Sequence, residues 1–160
     1  MQSYLKYEET DIDKYLTGEF QTRFDTNLLN KICDTNLNFY RYENDISNNY
    51  EVTRKFFILS VKKLNANSIN DAKTKNTMSL NYFNADNRIA INDIGAKCPY
   101  WARTFSRSTY CMVGYNGVIT STVGTVAKYS IRPAFTIPNN TKISKIYDKT
   151  LNQNIYIFDI

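Results

Sequence analysis

The dipeptide Asn116-Gly117 lies between two β-rich runs, Tyr110 to Tyr115 and Val118 to Val123, and no other short stretch constrains this chain as much. Asn-Gly between such runs is the strongest short-range hairpin signal, because a primed turn needs positive φ at both central residues and these two types accept it most readily. The hairpin is bracketed on both sides. Tyr100-Trp101-Ala102-Arg103-Thr104 stands before it, and Tyr129-Ser130-Ile131-Arg132-Pro133-Ala134-Phe135 stands after it.

Local signals place other elements around this segment. Thr10 or Asp11 caps a helix through Leu16, with Ile12, Tyr15 and Leu16 on one face and Gly18 at its end. Asp25 caps a second helix in which Leu28, Leu29 and Ile32 recur at helical spacing. Residues 34–51 are rich in Asn and Asp, with apolar interruptions at Phe39, Tyr40 and Tyr42, and read as a long loop or weak hairpin. Val52 to Leu59 predicts a strand buried on both faces, the central strand of the core, and Ser60 caps a short helix with Val61 and Leu64. Residues 65–87 predict a loop with a helical turn that adds little to the core, and Ile131 to Ile137 predicts a strand. Lys142 to Tyr147 and Asn154 to Ile160 are strand-like. They form either two more strands of the same sheet or an arm that docks on another subunit, since an apolar end left unpaired invites aggregation.

The Trp-x-Arg opening, tyrosine-lined hairpin and Arg-Pro-Ala-aromatic close resemble a family of bacterial and phage domains of unassigned function, with consensus WWLRSP, then YAxxVxxxG, then GVRPAL. Upstream, Asp11 to Phe20, Phe24 to Ile32 and Arg54 to Ser60 follow that family's earlier motifs in order. The chain departs from the consensus in Tyr100 for the first Trp, Ala102 for Leu, Thr104-Phe105 for Ser-Pro and Ile131 for Val. The family is similar to the formylglycine-generating enzyme and C-type-lectin-like fold. The resemblance implies an α+β, single C-type-lectin-like domain over residues 1–138, its N-terminal helices beside a small, mostly antiparallel twisted sheet. Residues 139–160 would then be a β extension or docking arm.

Composition narrows the chemistry. A chain of 160 residues with 42% hydrophobic content buries a core as one domain. There are no histidines, so Ser-His-Asp and Cys-His mechanisms are excluded. The three cysteines, Cys33, Cys98 and Cys111, have no C-x-x-C spacing, and the five glycines form no phosphate-binding motif. The enzymes of the formylglycine-generating type use a cysteine pair, but the signature around it is missing here. No enzyme activity, cofactor or metal is expected. Charge divides unevenly, with 12 basic and 13 acidic residues in 1–96 against 8 and 2 in 97–160. The basic half would suit an acidic partner, yet its cations are scattered singly, so neither nucleic acid nor membrane is an expected partner. Met1 to Glu9 does not read as a signal peptide.

Asn, Ile, Lys and Tyr together supply 62 residues, all with A/T-rich codons, which fits a low-GC Gram-positive bacterium or its phage. With the resemblance, this leads to the expectation of a non-enzymatic structural or display component of a phage or phage-like particle: capsid decoration, head fibre or tail/baseplate protein. It would be made in the bacterial cytoplasm and act in the virion, with other particle proteins and copies of itself as partners. The alternative is a carbohydrate- or cell-surface-binding adhesin that meets a host glycan. Trp101, Arg103, Asn116, Gly117, Arg132 and Pro133 are expected to be structural, the arginines tying loops and the Trp filling core, with sugar stacking on Trp101 as the competing role. By analogy with lectin-like display folds, Arg107, Tyr110, Met112, Tyr115, Asn116, Thr120, Thr122 and Lys128 are the candidate ligand face. Tyr156, Ile157, Phe158 and Ile160 are the candidate assembly arm.

Overall fold

The computed structural model describes residues 6–42, 45–66, 79–106, 109–121, 128–149 and 153–159. A 3₁₀ turn at Tyr7–Glu9 leads into helix α1 (Asp11–Thr17), and a second at Gln21–Arg23 leads into α2 (Thr26–Lys31). Among the described residues eleven strands follow: β1 (Thr35–Tyr42), β2 (Asp45–Arg54), β3 (Phe56–Ile58), β4 (Ala90–Ile91), β5 (Lys97–Cys98), β6 (Tyr100–Ser106), β7 (Thr109–Val113), β8 (Ile119–Ser121), β9 (Pro133–Phe135), β10 (Lys142–Asp148) and β11 (Gln153–Asp159). Few helices and many short antiparallel ladders make the fold α+β.

The helices start and stop where local chemistry says they should. Thr10 Oγ1 accepts the Asp13 N–H at 3.2 Å, and Gly18 closes α1 by donating its N–H to the Lys14 carbonyl at 3.0 Å. Asp25 Oδ1 accepts the Leu28 N–H at 3.0 Å; a cap of this kind is worth about 1 kcal/mol. The Lys55 ammonium donates to the Leu29 and Ile32 carbonyls at 3.0 and 2.8 Å, at the end of α2 where the helix dipole favours a cation. The chain bends at Lys55, so the strand expected over Val52 to Leu59 is divided between β2 and β3.

Instead of one small sheet, the described residues form five: β1-β2, β3-β9, β4-β5, β6-β7-β8 and β10-β11. The segment 34–51, read as a loop or weak hairpin, contains β1 and most of β2, paired antiparallel from Thr35↔Arg54 to Tyr42↔Asp45. Leu37, Phe39 and Val52 are buried on one face while Asn36, Asn38, Glu51 and Thr53 are exposed on the other, so a period-2 pattern lies beneath the polar composition. The short helix expected after Ser60 is a single turn. Ser60 Oγ accepts the Lys63 N–H at 3.2 Å, but Asn65 turns left-handed (φ 54°) and Ala66 N–H closes on the Val61 carbonyl at 3.2 Å. The strand expected over Ile131 to Ile137 shortens to β9, paired with β3.

Among the described residues two clusters make the core. The first joins Tyr7, Leu16, Ile32, Leu37, Phe39, Val52 and β3, with the Phe56 ring 5.2, 5.0 and 5.9 Å from those of Phe20, Phe24 and Phe135. The second joins Val61, Leu64, Tyr100, Ala102, Cys111 and Val113 with Phe83, a core residue from a segment that reads as polar loop. At the C-terminus β10 and β11 pair, among the described residues, with each other alone in a separate sheet and do not extend another sheet, the first of the two arrangements expected for them.

Candidate functional site

Strand β6 carries the Trp-x-Arg segment between the two clusters. The Arg103 peptide N–H donates to the Leu59 carbonyl at 3.1 Å. Its guanidinium lies 5.4 Å over the Phe39 ring, with Nη1 donating to the Asn38 carbonyl at 3.2 Å. Between the pairs Trp101↔Met112 and Phe105↔Tyr110 the register shifts, a bulge that re-aims the side chains of Ala102 to Thr104. Trp101 is half-buried against the first cluster, edge-on to Tyr129 at 4.9 Å. Arg132 Nη1 donates to the Asn87 and Arg88 carbonyls at 3.4 and 3.1 Å, and the guanidinium lies over Phe83 and Tyr100. Arg132 therefore holds a loop through backbone carbonyls, whereas Arg103 holds strand β1. Pro133, which has no N–H to give, opens β9 opposite Ile58.

At the hairpin tip the turn spans Tyr115, Asn116 and Gly117. Gly117 N–H donates to the Gly114 carbonyl at 3.0 Å and Gly114 N–H to the Val118 carbonyl at 2.8 Å. Only Gly117 has positive φ (75°), while Asn116 does not, so the two-residue primed turn expected from Asn-Gly is a longer turn with glycine at the left-handed position. A side chain on Gly117 would also meet the Ala85 carbonyl oxygen at 1.9 Å. Arg88 Nη1 donates to the Gly117 carbonyl at 3.3 Å, which locks the tip onto the loop at residues 85–89.

The expected ligand face does not hold together. Tyr110 packs on the first cluster and Cys111 and Val113 lie in the second, so β7 has core on both sides, and Met112 is buried. Met112 is thus turned away from solvent and Tyr110 is half-buried. Tyr115 (61% exposed), Asn116, Thr120 and Lys128 face solvent, whereas Arg107 and Thr122 lie outside the described residues. In the expected arm Ile157 is exposed and Phe158 half-buried; Tyr156 pairs through its backbone with Lys145, and Ile160 lies outside the described residues.

Residues 2–139 match the model of a family described as a domain of unknown function, DUF6273. The chain belongs to this family. No curated protein and no solved structure matches it. The DUF6273 match ends at residue 139, just before β10 begins at Lys142.

Within the DUF6273 body the strongest polar contact is one that residue types alone do not reveal. Asp13, 2% exposed, takes a forked bond from Arg54, with Nε at 2.9 and 3.0 Å and Nη2 at 2.7 Å, which ties α1 to the end of β2. No sequence signal names the partner of Asp13, which lies 41 residues away. Beside it Tyr7 stacks on Phe39 at 4.8 Å, its N–H donating to Tyr50 Oη at 2.9 Å and its own oxygen accepting the Ile58 N–H at 3.4 Å. Burial, then the Asp13 charge, pushes the Tyr7 hydroxyl well above the usual tyrosine range, and burial does the same to Tyr110. Among the described residues no group of three His, Cys, Asp or Glu could hold a metal ion, and no helix is long and apolar enough to cross a membrane.

Proposed function

We propose that this DUF6273 protein is a non-enzymatic structural or display component of a phage or phage-like particle, as capsid decoration, head fibre or tail/baseplate protein. The observation that carries the reading is the C-terminal hairpin. It follows the family region, forms a sheet of its own and exposes apolar residues, as an assembly arm would. The body would be its rigid mount. Its Arg103 and Arg132 bond to backbone carbonyls, and a chain without histidine lacks the commonest general base. We read the body as a variant of the C-type-lectin-like fold, on the order of two helices, a β-rich middle and the Trp-x-Arg to Arg-Pro-Ala segment. Partners are other particle proteins and copies of itself, in the virion, with neither nucleic acid nor membrane among them. The test is mass-spectrometric detection of the chain in purified particles from the source strain, with its copy number relative to the major capsid and tube proteins. Absence from particles overturns the reading.

A second reading, an adhesin that binds a host-surface glycan, is favoured by the exposed Tyr115 and Asn116 at a tip held rigid by Gly117 and Arg88. Aromatic and amide groups on a fixed loop suit an uncharged sugar polymer. Binding on a glycan array that is lost in Tyr115→Ala, and kept when residues 140–160 are removed, would support the adhesin.

A further inference from the structure

Strand β10 is solvent-exposed from Lys142 to Tyr147, with Ile143 at 54%, Ile146 at 46% and Tyr147 at 53% exposure. Its partner β11 carries the ring contact to the body. Phe158 of β11 contacts Phe135 at 6.2 Å, although Ile157 is itself 43% exposed. A lone two-stranded hairpin is at best marginally stable in water. An open edge carrying isoleucine and tyrosine is also a template for another strand.

We propose that the edge of β10 left uncovered by any described strand pairs antiparallel with β10 of a second copy, about a two-fold axis through Lys145, to form a four-stranded sheet. The proposal rests on the particle reading above and names the first contact of its homo-oligomer. The order Lys142-Ile143-Ser144-Lys145-Ile146-Tyr147-Asp148 selects the register. Centred on Lys145, Lys142 of each copy faces Asp148 of the partner subunit, Ile143 faces Tyr147 of the partner subunit, and Ser144 faces Ile146 of the partner subunit. The symmetry makes two copies of each pairing. Centred one residue earlier, Lys142 faces an isoleucine and Ile143 a lysine; centred one residue later, Ile143 faces Lys149 of the partner subunit. Only the Lys145 register matches charge with opposite charge and aliphatic with aromatic. The Lys145 side chains meet as like charges on the axis, where exposure to water keeps the repulsion small.

The pairing is tested on the full chain by sedimentation velocity and by cross-linking. Lys142→Asp and Asp148→Lys should each weaken the dimer about tenfold, because each turns two attractive pairs into repulsive ones, and the double charge swap should restore it. Lys145→Cys should yield a covalent dimer on mild oxidation, since a residue opposite itself lies about 5 Å away, within disulfide reach. Ile143→Cys, which faces Tyr147 of the partner subunit, should not. A wild-type chain that stays monomeric to about 100 μM, or a swap that restores nothing, overturns the pairing. A monomer found in particles would sink this pairing and leave the particle reading standing. A dimer whose chain is absent from particles would do the reverse.

Discussion

The DUF6273 body and the C-terminal hairpin use the same residue types to opposite ends. In the body, Phe56 contacts the rings of Phe20, Phe24 and Phe135, Arg103 and Arg132 are bonded to backbone carbonyls, and Asp13 is forked onto Arg54. In the hairpin, Ile143, Ile146, Tyr147 and Ile157 face water. Burial of apolar area and satisfaction of polar groups account for the stability of the first; in the second the contacts include its ladder and the ring of Phe158 on Phe135. Substitutions in the body should therefore change folding, and substitutions in the hairpin should change association.

The largest folding effect is expected from Phe56→Ala, which empties the centre of the first cluster and should cost about 4 kcal/mol in denaturant unfolding. Asp13→Ala leaves Arg54 without its carboxylate and should cost about 3 kcal/mol, the low end for a buried pair because Arg54 retains some contact with water. Gly117→Ala meets both the positive φ and the Ala85 carbonyl, and should cost about 2 kcal/mol while releasing the tip from the loop at residues 85–89.

These same residues show what the sequence could and could not reveal. Caps and turn glycines are legible because their chemistry is local: Thr10, Gly18, Asp25 and Gly117 each act within a few residues. The turn type at Asn116-Gly117 is misjudged because docking of the tip on Ala85, distant in sequence, joins in selecting it. The β1-β2 hairpin hides under asparagines that occupy its outward positions. Tyr110 and Met112 are misplaced because a hairpin read alone has one wet face, whereas this one lies between two clusters that distant segments assemble. Asp13 with Arg54, and Phe83 in its polar loop, are invisible for the same reason: the partner is far along the chain.

Smaller effects sharpen the contrast. Tyr7 and Tyr110 keep their protons in the fold at a pH where the unfolded chain has lost them, since both hydroxyls are raised by burial. Their contribution is fully present below the unfolded tyrosine value and is lost as the solution becomes more basic. Stability followed by chemical unfolding should thus be insensitive to these two residues up to about pH 10 and decline above it. Tyr7→Phe should flatten that decline. Smallest of all, Ile146→Ser in the hairpin should leave the body's unfolding free energy within about 0.5 kcal/mol of wild type and show itself only in sedimentation.

The most direct test of the division between a self-sufficient body and a hairpin completed by a partner is native-state amide hydrogen exchange at several protein concentrations. Amides of α1, β3 and β6 should show protection independent of concentration, while those of β10 and β11 should exchange quickly in dilute protein and gain protection as it is concentrated. A hairpin as well protected as the body in the most dilute sample would contradict the account.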